Sequence, residues 1–217
     1  MTPPSTKFLR IGIGGQIGAG KTMIAKKLLK LFNQNGYSAE LIDADQIAWQ
    51  LYEPQSKIYQ KLIRHFGKDI ITTSGQIDRK KLAHIVFNDK KQLDLLNRII
   101  QPALINSLRK RLTDKKTPIK ILDAALLFYW GKKIPVDVRI LVSAPRQAKI
   151  TRMKKRGYPP SVTKSRLQNQ LSEKEMAKTA DFIIHNNQTP QALNYKIKLM
   201  YQILKDLMAY GSKISII

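Results

Sequence analysis

The sequence predicts an α/β protein, a parallel sheet flanked by helices. Three observations carry that reading. Short apolar runs alternate with segments of helical periodicity along most of the chain, the pattern that builds βα units. The first apolar run leads straight into a glycine-rich corner and then an amphipathic helix. Two later apolar runs end in aspartates, at the strand tips where open parallel sheets gather their ligands.

Taken in order, residues 8–13 read as a short buried strand. From residue 23 to 35, Ile24, Ala25, Leu28, Leu29, Leu31 and Phe32 recur at helical spacing, and Gly36 supplies a stop. A second strand over 39–42 ends in Asp43-Ala44-Asp45, and residues 46–51 resume helical patterning. Residues 56–112 hold several amphipathic helices interrupted by the turn-rich stretch "FGKDIITTSGQIDR", and this region is suited to form a cap. A third strand, 119–122, ends at Asp123, and a fourth, 138–142, stops before Ser143-Ala144-Pro145. Residues 146–156 form a basic helix that Gly157-Tyr158-Pro159-Pro160 breaks, and a polar helix then runs toward Glu175. After a last short strand at 182–184, Thr189-Pro190 reads as an N-cap with proline at the first helical position. The helix that follows carries Leu193, Ile197, Met200, Leu204 and Met208 on one face.

A chain of 217 residues with 43% hydrophobic content suits one domain with its own core, here with a mobile part. The absence of cysteine excludes a disulfide framework, a thiolate metal site and a cysteine nucleophile. No apolar run approaches the roughly 18 residues of a spanning helix, and the first ten residues lack a signal-like apolar stretch, so a soluble cytoplasmic protein without a membrane partner is expected. The formal charge of +24, from 39 Lys+Arg against 15 Asp+Glu, draws polyanions and suits polyphosphate or nucleic acid without choosing between them. A merely solvated, lysine-rich surface accounts for it equally well, because the lysines are spread along the chain.

The corner "GQIGAGKT" satisfies G-x-x-x-x-G-K-[ST] with Gly15, Gly20, Lys21 and Thr22, and Gly18 and Ala19 complete the loop. Such a loop turns successive backbone amides inward around a phosphate while the helix that follows points its positive end at the anion. Lys21 would reach the β- and γ-phosphates of a nucleoside triphosphate, and the Thr22 hydroxyl would ligate Mg²⁺.

Phosphoryl transfer also needs a group to take the acceptor's proton. Asp43 and Asp45 are two apart at a strand tip, so strand geometry turns both toward one crevice, one to orient hydrated Mg²⁺ and one to act as base. The competing reading makes Asp45 the N-cap of the next helix. Asp123 is placed to hold a metal-bound water, or else simply starts a turn. Arg152 and Arg156 are four apart on a helix, where two guanidiniums can clamp a transferring phosphoryl group or form an ordinary basic face. His65, His84 and His185 lack metal-ligand spacing; of the two tryptophans, Trp49 is the better candidate to face substrate because it follows the acidic pair.

In this order, "GQIGAGKT", "LIDADQIA", "HFGKDII", "IDRKKLAHIVF", "LNRIIQPALI" and "ADFIIHNN" resemble the dephospho-coenzyme A kinase family over nearly the whole chain. The resemblance implies a P-loop kinase core (about 8–45, 113–145 and 179–217), a helical coenzyme-A subdomain (about 46–112) and a lid (about 146–178). It implies ATP-dependent phosphorylation of the ribose 3′-hydroxyl of dephospho-coenzyme A, the final step of coenzyme A biosynthesis. Asp45 matches the family's base, Asp43 its neighbouring acid, Lys21 and Thr22 its phosphate and magnesium contacts, and Arg152 a basic lid residue.

The chain departs from that pattern at Gln16 (usually glycine), Gln101 (histidine), Met176 (arginine), His185 (an acid), and Ala125 and Tyr129, where proline and glutamate are usual. The alternatives are another small-metabolite or nucleoside kinase on the same core, or a nucleotide-binding protein that has lost catalysis and uses its basic surface on RNA.

Overall fold

The structure is a computed structural model that describes residues 8–210. Residues 1–7 and the last seven residues of the expected core lie outside the described residues. Five strands, β1 (Leu9–Gly14), β2 (Ala39–Asp43), β3 (Ile119–Asp123), β4 (Val138–Ser143) and β5 (Phe182–His185), form one sheet in the order β2-β3-β1-β4-β5. Every adjacent pair is parallel, as the alternation of strands and helices predicts. Because β1 lies between β3 and β4, the strand order reverses at its carboxyl end, and the crevice of such a sheet opens there.

Among the described residues, ten helices connect and cover the strands. Helix α1 (Lys21–Gln34) joins β1 to β2; α2 (Ala44–Gln50), α3 (Lys57–Phe66), α4 (Arg79–Asn88) and α5 (Lys90–Thr113) lie between β2 and β3. The short α6 (Leu127–Trp130) precedes β4, while α7 (Arg146–Lys155), α8 (Pro160–Gln168) and α9 (Glu173–Ala177) separate β4 from β5, and α10 (Pro190–Tyr210) follows β5. Helix α1 starts at Lys21, two residues before its apolar periodicity becomes visible, because its first turn faces the glycine corner and not the core.

Side-chain alternation along β1 sorts the two layers. Ile11 and Ile13 are fully buried under Ile24, Ala25, Leu28 and Phe32 of α1 and the Leu193–Met208 stripe of α10. Each such side chain contributes roughly 1.5–3 kcal/mol by leaving water. On the other face β1 carries Arg10 at its start and then Gly12 and Gly14. A Cβ at Gly12 would stand 2.8 Å from Leu127, and one at Gly14 2.5 Å from Phe128, so α6 rests on nearly bare backbone.

Leu104, Leu108 and Leu112 of α5 also pack on this face of the sheet, with Ile42, Leu122 and Leu141. Within residues 46–112, Leu62, Ile70, Ile77, Leu82 and Val86 gather into a separate small core. The turn-rich stretch between α3 and α4 is therefore anchored: Ile71 and Ile77 pair in an antiparallel bridge, and Tyr59 Oη donates to Gly75 O at 2.6 Å.

Candidate active site

The loop from Gly15 to Thr22 is wedged between the end of β4 and helix α7. Gly15 has φ 141°, and a Cβ there would collide with Val142 O; Gly18 has φ 75°, and a Cβ would stand 2.7 Å from Lys149 O. Only glycine combines those backbone angles with that closeness. Gly20 takes the N-cap position of α1 in the left-handed region, and no side chain caps this helix, so its first amides are kept for an anion.

Behind the loop, the carbonyls are tied. Asn186 Nδ2 donates to Ala19 O at 2.7 Å, and the Arg152 guanidinium donates to Gly18 O (3.2 Å), Ala19 O (3.1 Å), Asn186 O (3.0 Å) and Asn186 Oδ1 (3.1 Å). The expected arginine clamp is thus divided. Arg152 grips the backbone of the loop, whereas Arg156, at the C-cap of α7, lines the cleft. Burial, then the nearby charge of Arg156, moves the Arg152 pKa down from its ordinary value.

Residues 149–173, in α7, α9 and the segment between α8 and α9, join the loop through a polar network. Lys149, only 4% exposed, donates to Gln16 Oε1 at 2.5 Å and to Glu173 Oε1 at 2.6 Å. Glu173 also accepts from Ser143 Oγ (2.5 Å) and Ala144 N (3.2 Å). Gln16 Nε2 donates to Leu171 O at 2.9 Å, and Ile17 N donates to Gln170 Oε1 at 2.9 Å. Gln16, unusual by its sequence, therefore bonds the phosphate loop to Lys149 of α7 and to Leu171. Met176, another departure, is buried in the apolar core beneath the sheet.

In front of the loop opens a cavity of about 820 Å³ whose wall includes Lys21, Thr22, Asp43, Asp45, Asp123 and Arg156. Asp43 and Asp45 reach it by a route other than strand alternation. Asp43 ends β2 and is itself the N-cap of α2, its Oδ1 accepting from Asp45 N (2.9 Å) and Gln46 N (3.1 Å), and Asp45 lies in the first turn of the helix. The capping role expected as the alternative for Asp45 thus falls to Asp43. Thr22 Oγ1 donates to Asp123 Oδ2 at 2.5 Å, and Lys21 Nζ donates to Gln16 O at 3.3 Å.

The charges in this cavity feel one another. Burial pushes the Lys21 ammonium pKa down, and Asp123 and Asp45 pull it back up. Asp45 is exposed to the cavity; partial desolvation by the surrounding protein, then the charge of Asp43, raises its carboxyl pKa, with Lys21 opposing. Desolvation likewise raises Asp123, against the Thr22 hydrogen bond and Lys21. Arg166, with its guanidinium over the Tyr158 ring at 5.0 Å, lines the same cavity and feels the charge of Asp45. Nothing in the spacing of Arg166, Tyr158 and Gln170 marks them in the sequence; Asn186 lies within the motif "ADFIIHNN", which does not show that its side chain holds the phosphate loop.

Among the described residues no three His, Cys, Asp or Glu side chains are grouped to hold a metal ion. A phosphate-bound Mg²⁺ needs fewer protein ligands, because phosphate oxygens and waters complete its shell. Thr22 and Asp123, in contact, with desolvated carboxylates around them, fit such an ion.

Amides at an uncapped helix start, a lysine beside them and a hydroxyl–carboxylate pair across the cleft meet what a nucleoside triphosphate requires, and with this sheet they define a P-loop kinase fold. Comparison with known proteins narrows the class. The family profile for dephospho-CoA kinase matches residues 9–191. A dephospho-CoA kinase of Oceanobacillus iheyensis is 34% identical over 89% of this chain and 96% of its own, and one of Aquifex aeolicus is 33% identical over 90% and 97%. Among solved structures, TT1252 from Thermus thermophilus superposes with a TM-score of 0.71 at 28% identity, covering 93% of this chain and 98% of that one. The chain belongs to the dephospho-CoA kinase family, and it is a phosphotransferase.

Proposed function

We propose that the protein transfers the γ-phosphoryl group of ATP to the ribose 3′-hydroxyl of dephospho-coenzyme A, releasing ADP and coenzyme A. The observation that carries this reading is the shared cavity of Lys21 and Asp45, which sets a phosphate-binding cation and a desolvated carboxylate on one small space. Asp45, with its raised pKa, is the group to take the hydroxyl proton as the new O–P bond forms. Lys21 and Arg156 offset charge spreading over the transferred group, and Arg152 with Asn186 keeps the loop in shape around it. The amides of Gly18, Ala19 and Gly20 and the N-terminus of α1 hold the phosphates.

Thr22 and Asp123 would hold Mg²⁺, with Asp43 nearby to orient its waters, since capping α2 commits the Oδ1 of Asp43. Once bound, the ion would neutralise the β- and γ-phosphate oxygens. The lid, fastened to Gln16 through Lys149 and Glu173, limits the entry of water, which would otherwise compete as acceptor. Dependence on ATP supports a cytoplasmic location. No helix of the described residues is long and apolar enough to cross a membrane. Neither the nucleoside-kinase nor the RNA-binding alternative draws support from the comparisons.

The test is direct. Purified protein with Mg-ATP and dephospho-coenzyme A should form coenzyme A, and other ribose- or alcohol-bearing acceptors should react far more slowly. A protein that phosphorylates another acceptor faster would displace this reading.

A further inference from the structure

Beside the transfer cavity lies a second cavity of about 710 Å³, walled by Trp49 and Gln50 of α2, by Tyr52, and by Gln76, Arg79 and Lys80 from the opposite side. Tyr52 lines both cavities, so the two spaces meet at its ring. Burial and the charge of Asp45 push its phenol pKa up to about 12, while Arg79 pulls it down, so both neighbours are within electrostatic reach of this one side chain.

Trp49 is 43% exposed, a large flat ring in a wall that mixes amides and charges with Tyr52, Pro54 and Ile77. The Arg79 guanidinium lies over that ring at 4.2 Å. Arg79 is placed there by construction: it is the first residue of α4, whose N-cap Asp78 accepts from Lys80 N (2.9 Å) and Lys81 N (3.1 Å). A planar guanidinium over a partly exposed indole marks a surface that takes flat π systems.

Asp45 and Trp49 are four residues apart in α2 and so share a face, about 6 Å apart along the helix. Helical side chains lean toward the N-terminus, which tilts the indole back toward Asp45. A ribose whose 3′-hydroxyl meets Asp45 carries its base one sugar ring away. We propose that Trp49 is the stacking platform for the purine base of the acceptor nucleotide, shared with Arg79, which with Lys80 faces the acceptor's diphosphate. This assignment rests on the function proposed above and adds to it the residue that recognises the acceptor's base. The side-chain amides of Gln50 and Gln76 are suited to read donors and acceptors on its edge.

Stacking on an aromatic ring is strong enough that its loss is easily read in kinetics. Trp49→Ala should raise KM for dephospho-coenzyme A by about tenfold or more. It should leave KM for ATP within about twofold, and Trp49→Phe should restore most of the loss, because a smaller ring still stacks. In a Trp130→Phe background, AMP should quench the fluorescence of Trp49, whereas 4′-phosphopantetheine, which carries the acceptor's other arm without a base, should not. An unchanged acceptor KM in Trp49→Ala, or quenching by 4′-phosphopantetheine and not by AMP, overturns the base platform. If the unaltered protein fails to phosphorylate dephospho-coenzyme A, the proposed function fails instead, and quenching by AMP still decides whether Trp49 takes a purine.

Discussion

Thr22 Oγ1 and Asp123 Oδ2 stand 2.5 Å apart, closing the front of the phosphate loop with a hydroxyl from α1 and a carboxylate from β3. The contact spans 101 residues of sequence and ties the helix that follows β1 to the end of β3, the strand paired with β1. Under the proposed function, this contact would offer a cation two protein ligands already side by side.

Replacing Asp123 by Asn keeps the hydrogen bond to Thr22 but removes the charge. We expect kcat to fall by about 10²–10³, the usual cost of losing one charge-stabilising group in such a site. The Mg²⁺ concentration for half-maximal rate should rise, and chelation of divalent cations should stop the unaltered enzyme. An unchanged magnesium titration in Asp123→Asn would remove Asp123 from the metal site.

Asp45→Asn should lower kcat by about 10²–10⁴ while ATP binding stays nearly intact, as expected when a general base is lost. The rate of the unaltered enzyme should climb with pH along an acid limb displaced above the ordinary aspartate range, because Asp45 is raised. Stability should move the opposite way. A raised carboxyl binds its proton more tightly in the folded state, so as pH climbs from the ordinary value of 3.8 through the raised one, the folded state loses stability. Asp45→Asn escapes that loss, and its Tm at neutral pH should equal or exceed that of the unaltered protein.

Much of this was legible in the sequence, for identifiable reasons. The phosphate loop could be read because its glycines are required by local backbone geometry, and the order of strands and helices because apolar periodicity survives in single elements. Asp43 and Asp45 were found, but their geometry was misjudged: a strand ending and a helix beginning within three residues cannot be separated by composition, and the cap at Asp43 decides the matter. The grip of Arg152 on the loop was not legible, because it depends on Gly18, Ala19 and Asn186 meeting across the sheet. The same holds for Lys149, whose partners Gln16 and Glu173 lie far from it in sequence.

The Lys149–Glu173 pair makes stability fall in acid. Burial alone would raise the Glu173 pKa, but hydrogen bonds from Lys149, Ser143 and the Ala144 amide outweigh it and hold the carboxyl below its ordinary value of 4.5. The stabilisation is therefore complete above that value and is lost as pH drops below it toward the depressed one. Acid unfolding followed by circular dichroism should show a shallower loss in Glu173→Gln across this window. Glu173→Leu should be the more damaging change, by up to about 3 kcal/mol, because it strands the buried Lys149 ammonium without a counter-charge.

Arg152→Lys separates two roles that the sequence left open. Lysine keeps the charge but cannot span Gly18 O, Ala19 O and Asn186 with one ammonium, since the planar fork of arginine supplies that reach. If Arg152 acts by holding the loop, Arg152→Lys should raise KM for ATP by about tenfold, and Asn186→Ala should do much the same. The double variant should then be little worse than either single one, because both changes break one network. A loss confined to kcat, with ATP binding untouched and additive with Asn186→Ala, would instead place the Arg152 guanidinium on the transferring phosphoryl group. Initial rates over a grid of ATP and acceptor concentrations, measured on the four proteins, distinguish the two.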